Sequence, residues 1–291
     1  MKSPFLLLAF CVFSISSSAQ RDKFIRYNLL IDKARTLSAQ SDYSNALQRF
    51  DSAFALIPWV SYDYLEAIDL ALLLKRDEHA NDLLIRGVDN GLDPGMYNDS
   101  LLKDFLHSDR SKPFLDQWWY WKQRYEQHID TTLVHEISDI MIELHDKTSD
   151  EEMRAAWDRV FDKCVDLIER KGFPNQRDAA TAVMPLAFLL QSMGGEYPDS
   201  PRWRKILPKI NLAITEGTLD PSFLCAYQDQ HDMASGKPVT YGALISSDGM
   251  DEGTKLPDRA TLNDNRASVG LGPIEDLAVR FNLDPVTLKR R

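Results

Sequence analysis

Residues 22–92 contain a weak repeat in which small and large apolar residues recur 34 positions apart. The matched pairs are Ala46 and Ala80, Phe50 and Leu84, and Ala53 and Gly87. Small residues let two helices cross closely, and the larger side chain between them fills the space beside the crossing. The spacing therefore predicts two helix-turn-helix units that pack against each other.

Two further positions complete this pattern. Ala34 takes the small position in the first helix, and Pro58 closes the first unit, whereas Leu92 stands at the corresponding place in the second unit. The order of small residues, an aromatic residue and a final proline resembles the tetratricopeptide repeat. An arbitrary helical hairpin with a similar apolar spacing is the alternative. The resemblance implies a protein or peptide partner bound by the helical repeat, and the aromatic-rich segment 100–128 is expected to cap it.

The first residues have the pattern of a secretory signal peptide. Lys2 precedes the apolar run Phe5–Phe13, and small residues follow up to Ala19, which predicts cleavage near Ala19. A membrane anchor is the alternative, but a spanning helix needs about 17–25 apolar residues. Acylation of Cys11 is disfavoured because Phe10 stands where lipoprotein processing needs a small side chain. The predicted location is therefore periplasmic or secreted.

The charge balance excludes some partners. The chain has 34 Lys and Arg against 44 Asp and Glu, a net charge of −10, and no basic block, so we expect no nucleic-acid partner. No apolar run after the signal peptide is long enough to cross a membrane, so no span is expected in the mature chain. Cys164 and Cys225 could form a disulfide in an oxidising compartment, but Cys164 lies on an apolar helix face and a buried thiol is the alternative. The oligomeric state is left open.

The second half of the chain has strong helix boundaries. Ser149 with Glu152 forms a capping box, and that helix is expected to end at Gly172. Val239-Thr240-Tyr241 favours a β-strand after a Gly-Lys-Pro turn, which predicts a hairpin or an irregular loop. The predicted class is mainly α, with tetratricopeptide-like hairpins followed by an α+β domain of helices with a short hairpin. The predicted divisions are a signal peptide at 1–19, the helical module at 20–128 and a C-terminal domain at 129–291.

Several short motifs in the second half resemble the bacterial domain-of-unknown-function 6624 family, over about residues 137–281. They are Lys171-Gly172-Phe173-Pro174, Asp229 with Gly236 and Tyr241-Gly242, Asp264-Asn265-Arg266, and Gly270-Leu271-Gly272-Pro273. The chain departs from that family at Ser192, Gln230 and Ala243, where histidine, arginine and threonine are typical. The family has no assigned reaction, so the resemblance implies none.

Four residues form the candidate catalytic set: Asp229, His231, Tyr241 and Arg266. A carboxylate near a histidine can polarise it as a general base, and Tyr241 or Arg266 could stabilise negative charge. A hydrogen-bonded turn is the alternative. We expect Asp229 to accept a charge-assisted hydrogen bond from Arg266 or Arg259, as a structural contact first.

The candidate binding residues around this set are Gln191, Lys237 and Arg259. No metal site is predicted, because Asp139 follows His135 and Glu136 where a zinc-protease helix needs a second histidine. No motif for a cofactor is present, and none is predicted. The leading expectation is an exported cell-envelope binding or scaffolding protein. The alternative is a hydrolase-like enzyme centred on Asp229, His231, Tyr241 and Arg266.

Overall fold

The structure is a computed structural model that describes residues 4–96, 100–144, 149–179, 182–251 and 253–290. It is mainly helical, as the sequence predicts. The first half contains α1 (Pro4–Ala39), α2 (Tyr43–Leu56), α3 (Asp63–Leu73), α4 (Asp77–Asp89), α5 (Ser100–Leu106), α6 (Lys112–Leu115) and α7 (Trp118–Glu126). The second half contains α8 (Thr131–Met141), α9 (Asp150–Lys171), α10 (Gln176–Ala179), α11 (Val183–Ser192), α12 (Pro201–Glu216), α13 (Cys225–Ala234), α14 (Arg259–Ser268) and α15 (Ile274–Arg280).

The predicted signal sequence falls at the beginning of α1, and Lys2 lies outside the described residues. Among the helices of the described ranges, none combines the length and the apolar character needed to cross a bilayer. Signal-peptide cleavage and the three predicted chain divisions stay predictions.

The residues of the 34-residue pattern lie in the core of the first half. Short connections place α1 against α2 and α3 against α4. Ala46, Phe50 and Ala53 on α2 are fully buried, as are Ala80 and Leu84 on α4. Packing also explains why Gly87, the third matched residue of the second unit, is small. A Cβ atom on Gly87 would lie 2.8 Å from Leu92 Cδ2, closer than carbon atoms pack.

The aromatic run of α7 divides between core and surface. Trp118 and Trp121 pack against the core of the first half, and Trp118 meets Phe114 edge-on at 5.6 Å. Trp119 and Tyr120 are exposed. Residues one apart on a helix point in different directions, so neighbouring aromatic residues cannot all face one core.

Serine side chains cap the beginnings of two helices in the second half. Ser149 Oγ accepts the Glu152 N–H at 3.2 Å and begins α9, and Ser200 Oγ accepts the Trp203 N–H at 3.3 Å and begins α12. α9 ends at Gly172, whose φ of 83° suits glycine. These helices surround a core that includes Trp203, which is fully buried. Cys164 and Cys225 are free buried thiols, and burial raises the pKa of Cys164 to about 12.

Of the two predictions for the segment 239–241, the structure has the irregular loop and not the hairpin, and no strand in the described residues supports the α+β class of the second half. Within those ranges the only β pairing is three isolated bridges, none of which includes the segment 239–241. The N–H groups of Tyr241 and Ala243 donate to the carboxylate of Asp229. Backbone donors used by a side chain are lost to a β ladder, so this segment is an irregular loop.

Helix α1 packs against both halves of the chain. It contacts α2 in the first half and α12, α14 and α15 in the second. Asn28 Nδ2 donates to Asp220 Oδ1 at 2.7 Å, and the Arg21 guanidinium donates to the Ser268 carbonyl at 3.1 Å. The C-terminal helices therefore rest on the first helix of the chain.

Candidate functional site

Asp229 lies in the middle of α13, and its side chain is fully buried. Its carboxylate accepts the Tyr241 N–H at 2.8 Å and the Ala243 N–H at 2.6 Å. Burial raises the pKa of the Asp229 carboxyl, and the backbone N–H groups reduce that rise. Both carboxylate oxygens are therefore occupied by the loop that follows α13.

Arg266 lies on α14 and is 2% exposed. Its Nε donates to the Gly272 carbonyl at 2.6 Å, and its Nη1 donates to the Tyr241 carbonyl at 2.8 Å. Burial lowers the pKa of this guanidinium, while the charge of Asp32 opposes that change. Arg266 thus binds carbonyl groups of the same loop whose N–H groups Asp229 binds.

Two more side chains hold this loop. Asp232, also on α13, accepts the Thr240 hydroxyl at 2.7 Å and the Gln228 amide at 2.9 Å. Asn265 Nδ2 donates to the Thr240 carbonyl at 3.1 Å. We call Asp229, Asp232, Asn265 and Arg266 the polar clamp, and residues 240–243 the clamped loop.

The predicted direct hydrogen bond from Arg266 or Arg259 to Asp229 is wrong. Asp229 accepts backbone N–H groups of the clamped loop, and Arg266 donates to the Tyr241 carbonyl of that loop and to the Gly272 carbonyl, so the two side chains do not pair. Arg259 donates instead to the Pro285 carbonyl at 2.7 Å and lies 3.5 Å from a carboxylate oxygen of Glu275. It ties α14 to the C-terminal segment.

The other predicted site residues do not join the clamp through their side chains. His231 lies two positions after Asp229 on α13, on a different helix face, and its imidazole forms no hydrogen bond or ion pair with a described residue. Tyr241 contributes its backbone, and its half-buried ring carries a hydroxyl whose pKa burial raises. Lys237 is exposed beside the loop, and Gln191 is exposed on α11.

The space beside Asp229 is too small for a substrate. The cavity there has a volume of about 10 Å³ and is lined largely by apolar side chains such as Met233, Val239 and Ile245. That volume is about enough for one water molecule, whereas ligand sites usually enclose about 300–1,000 Å³. The cavity that Asp229 lines therefore has no room for a substrate.

The clamp continues into α1 through Asp32, which the sequence analysis missed. Asp32 is nearly buried, and its carboxylate accepts the Gly272 N–H at 2.7 Å and the Arg280 guanidinium at 2.8 Å. The glycine-rich turn 270–273 lies close to α1, because a Cβ on Gly270 would be 3.0 Å from the Cα of Ile25. The Gly-Leu-Gly-Pro motif thus serves helix docking. The sequence signal that could have identified Asp32 is its position as an acidic residue on the apolar face of α1.

A shallow charged groove of about 590 Å³ contains His135, Glu136 and Asp139. Glu136 is engaged by Arg170 at 2.7 Å and by Lys171 at 2.5 Å, and these cations lower the pKa of its carboxyl. Across the described ranges, no group of three or more His, Cys, Asp or Glu side chains is arranged to hold a metal ion. Glu136 is thus used in surface ion pairs.

A second, apolar groove lies beside α11, and we call it the α11 groove. Its volume is about 150 Å³, and its lining includes Phe24, Tyr62, Pro174, Met184 and Phe223. Met184 is 52% exposed at its edge. The buried carboxyl of Asp220 lies at the same groove, and burial raises its pKa. The groove is built from both halves of the chain.

Comparison with protein-family models, with curated proteins and with solved structures finds no significant match to this chain.

Proposed function

We propose that this chain is an exported cell-envelope protein that binds or scaffolds a partner protein, and that the α11 groove is the binding surface. The observation that carries the proposal is the surface of α11. Leu186, Leu189 and Leu190 are buried in the core, yet Met184 on the other side of the helix is 52% exposed at the rim of the groove. A large apolar side chain at the rim of an apolar groove is available to a partner.

The α11 groove fits apolar side chains from a partner. Its lining is mainly aromatic and aliphatic, and its volume of about 150 Å³ suits one or two anchoring side chains. The net charge of the chain is −10, so a partner with Lys and Arg beside its apolar residues associates fastest. We therefore propose an amphipathic, basic segment of another protein as the occupant.

The sequence supports the two remaining parts of this proposal. The apolar run Phe5–Phe13 and the small residues before Gln20 favour export. The buried small residues on α2 and α4 fit a tetratricopeptide-like arrangement, in which paired helices present a surface for protein or peptide binding. We also retain the resemblance of the second half to the domain-of-unknown-function 6624 family as a proposal, and it implies no reaction.

The geometry favours this function over the hydrolase alternative. A general base must reach the proton of a bound substrate. Here the Asp229 carboxylate is occupied by two backbone N–H groups, and the cavity beside it holds about one water molecule. Asp229 and Arg266 therefore serve the fold, and His231 is separate from both.

Site-specific photocrosslinking in the native host tests the binding surface. A photoreactive phenylalanine analogue in place of Met184 should form a discrete adduct with one protein. Leu212 on α12 is the matched control, because it is 51% exposed against 52% for Met184 and lies away from the groove lining. Equal adducts from both positions, or none from Met184, would contradict the proposed surface.

A charge placed in the groove gives a second test. Met184→Glu should abolish the adduct formed from a probe in place of Tyr62, which lies across the same groove. The fold should survive, because position 184 is half exposed. An adduct that persists in a folded Met184→Glu variant would contradict the proposal.

A further inference from the structure

Another cleft of the chain differs in chemistry from the α11 groove. It encloses about 180 Å³ and is lined by Trp59, Asp89, Asn90, Arg124, Tyr125, His128 and Arg177. Arg177 comes from α10 in the second half, and the other lining residues belong to the first half or to the residues just after α7. Polar groups make up most of this lining, so an apolar partner segment does not fit it.

Both guanidinium groups of the cleft rest on indole rings. The Arg124 guanidinium carbon lies 5.1 Å from the centre of the Trp121 ring, and that of Arg177 lies 5.9 Å from the centre of the Trp59 ring. Such stacking fixes the orientation of a guanidinium while its N–H donors stay available at the edges. The cleft therefore presents donors that are already oriented.

The side chains that line the cleft carry more positive than negative charge. Asp89 lies 3.2 Å from Arg124 Nε and neutralises that arginine. The Arg177 guanidinium forms no ion pair and no hydrogen bond with any residue in the described part of the chain. Two like charges in one cleft with a single counter-ion favour binding of an additional anion.

Tyr125 supplies an independent observation. Its hydroxyl oxygen is buried and has no hydrogen-bond partner among the described residues. The ring lies against Gly91, where a Cβ would be 2.6 Å from the hydroxyl oxygen. Burial raises the pKa of this hydroxyl to about 12, so it keeps its proton and remains a donor. A buried donor without an acceptor usually marks a bound water or ligand atom.

We propose that this cleft binds a small anion that carries a carboxylate or phosphate group, held by Arg177, Arg124 and the Tyr125 hydroxyl. Oxyanions of either kind match the two-donor edge of a guanidinium. A volume of about 180 Å³ admits one compact anionic group and is below the size of ordinary drug-like sites. The site is separate from the α11 groove and does not depend on the function proposed there.

Isothermal titration calorimetry of the full chain tests this site, with inorganic phosphate and succinate as separate probes at constant ionic strength. At least one probe should bind saturably, with a Kd of about 0.1–1 mM, as expected for so few ligand atoms. The preferred probe identifies phosphate or carboxylate as the recognised group. Absence of saturable binding by both probes overturns the proposal.

Variants locate the binding. Arg177→Gln should weaken it about tenfold, because a charge-assisted hydrogen bond is lost. Arg204→Gln is the matched control, since it removes the same charge from an exposed position on α12 and should leave the affinity unchanged. Equal losses in the two variants indicate general charge attraction and overturn the site.

Tyr125→Phe distinguishes a ligand donor from a structural hydroxyl. The ring packing stays, and only the buried hydroxyl is removed. We expect affinity for the anion to fall about threefold to tenfold with no loss of thermal stability, because the hydroxyl has no described protein partner. Unchanged affinity in a folded Tyr125→Phe variant contradicts the role given to this donor.

Discussion

At the scale of single residues, Asp63 shows how burial sets a pKa against a neighbouring charge. Its carboxylate accepts the Tyr27 hydroxyl at 2.5 Å and the Arg35 guanidinium at 2.8 Å. Desolvation nevertheless outweighs both contacts and raises the pKa of Asp63 to about 6. Because the folded state then holds a proton more tightly than the unfolded chain, the contribution of Asp63 to stability is largest below about pH 4.

Asp63→Asn should therefore change the pH dependence of unfolding. In the unmodified chain, the free energy of unfolding loses the contribution of Asp63, about 2–3 kcal/mol, as the pH rises through about 6. Asp63→Asn has no titrating carboxyl at this position and should not show this loss. Chemical denaturation at several pH values from about 4 to 7 gives the free energy of unfolding as a function of pH. The slope of this curve is compared between Asp63→Asn and the unmodified chain. Asp77→Asn should leave the slope over this pH range nearly unchanged, because Arg110 lowers the pKa of Asp77 and its stability contribution changes only below about pH 4. Equal slopes in the unmodified chain and Asp63→Asn would contradict the account.

The polar clamp makes a second prediction at this scale. Arg266→Ala leaves the carbonyls of Tyr241 and Gly272 without a donor, and we expect a loss of about 2–4 kcal/mol in the free energy of unfolding. His231→Ala should change it by less than about 0.5 kcal/mol, because the His231 imidazole forms no polar contact with a described residue. Thermal or chemical unfolding measures the loss of stability in each of the two variants. Similar losses in both variants would place His231 in the clamp.

The sequence identified two residues of the polar clamp and one of the clamped loop, but not their backbone partners. Asp229, Tyr241 and Arg266 could be selected because they are polar residues in a segment of changed character. Their partners are backbone groups of a loop, and a residue pattern does not reveal which backbone groups a side chain will bind. Asp32 was missed for a different reason. Its partner Gly272 is 240 positions away, and only the folded chain brings them together.

At the scale of helices, local signals predicted boundaries well. Ser149 and Gly172 bound α9 where the sequence predicts, because caps depend on neighbouring residues only. The segment Val239–Tyr241 failed as a strand because its β preference competes with the Asp229 carboxylate. Intrinsic β preference is weak beside such a tertiary contact.

Substitutions on α2 test its packing. Ala46→Leu inserts a large side chain at a fully buried position and should cost about 1–3 kcal/mol of stability. Ala55→Leu on the same helix is the matched control, since residue 55 is exposed and should tolerate the change. Chemical unfolding of both variants measures the difference. An Ala46→Leu variant as stable as the control would show that this position is not a close helix crossing.

At the scale of the whole molecule, both proposed binding sites lie where the two halves meet. The loop between α2 and α3 supplies Trp59 to the anion cleft and Tyr62 to the α11 groove. The second half supplies Arg177 to the cleft and Met184 to the groove. Each site is complete only when the halves are docked, so the contacts of α1 with α12, α14 and α15 are a condition for both functions.

A continuous set of hydrogen bonds fixes that docking. Asp32 on α1 accepts the Gly272 N–H, the Gly272 carbonyl accepts Arg266, and Arg266 also holds the clamped loop that Asp229 binds from its other side. We infer that these residues connect α1 to the clamped loop as one structural unit. Catalysis is not needed to explain their arrangement.

Amide hydrogen exchange of Asp32→Ala, resolved at single residues, tests that claim most directly. We predict faster exchange at Gly272, which loses its acceptor, and also at Tyr241 and Ala243, whose loop Arg266 then holds less firmly. His231→Ala should leave all three amides as protected as in the unmodified chain. Faster exchange confined to Gly272, or equal effects from His231→Ala, would contradict a single structural unit that runs from α1 to the clamped loop.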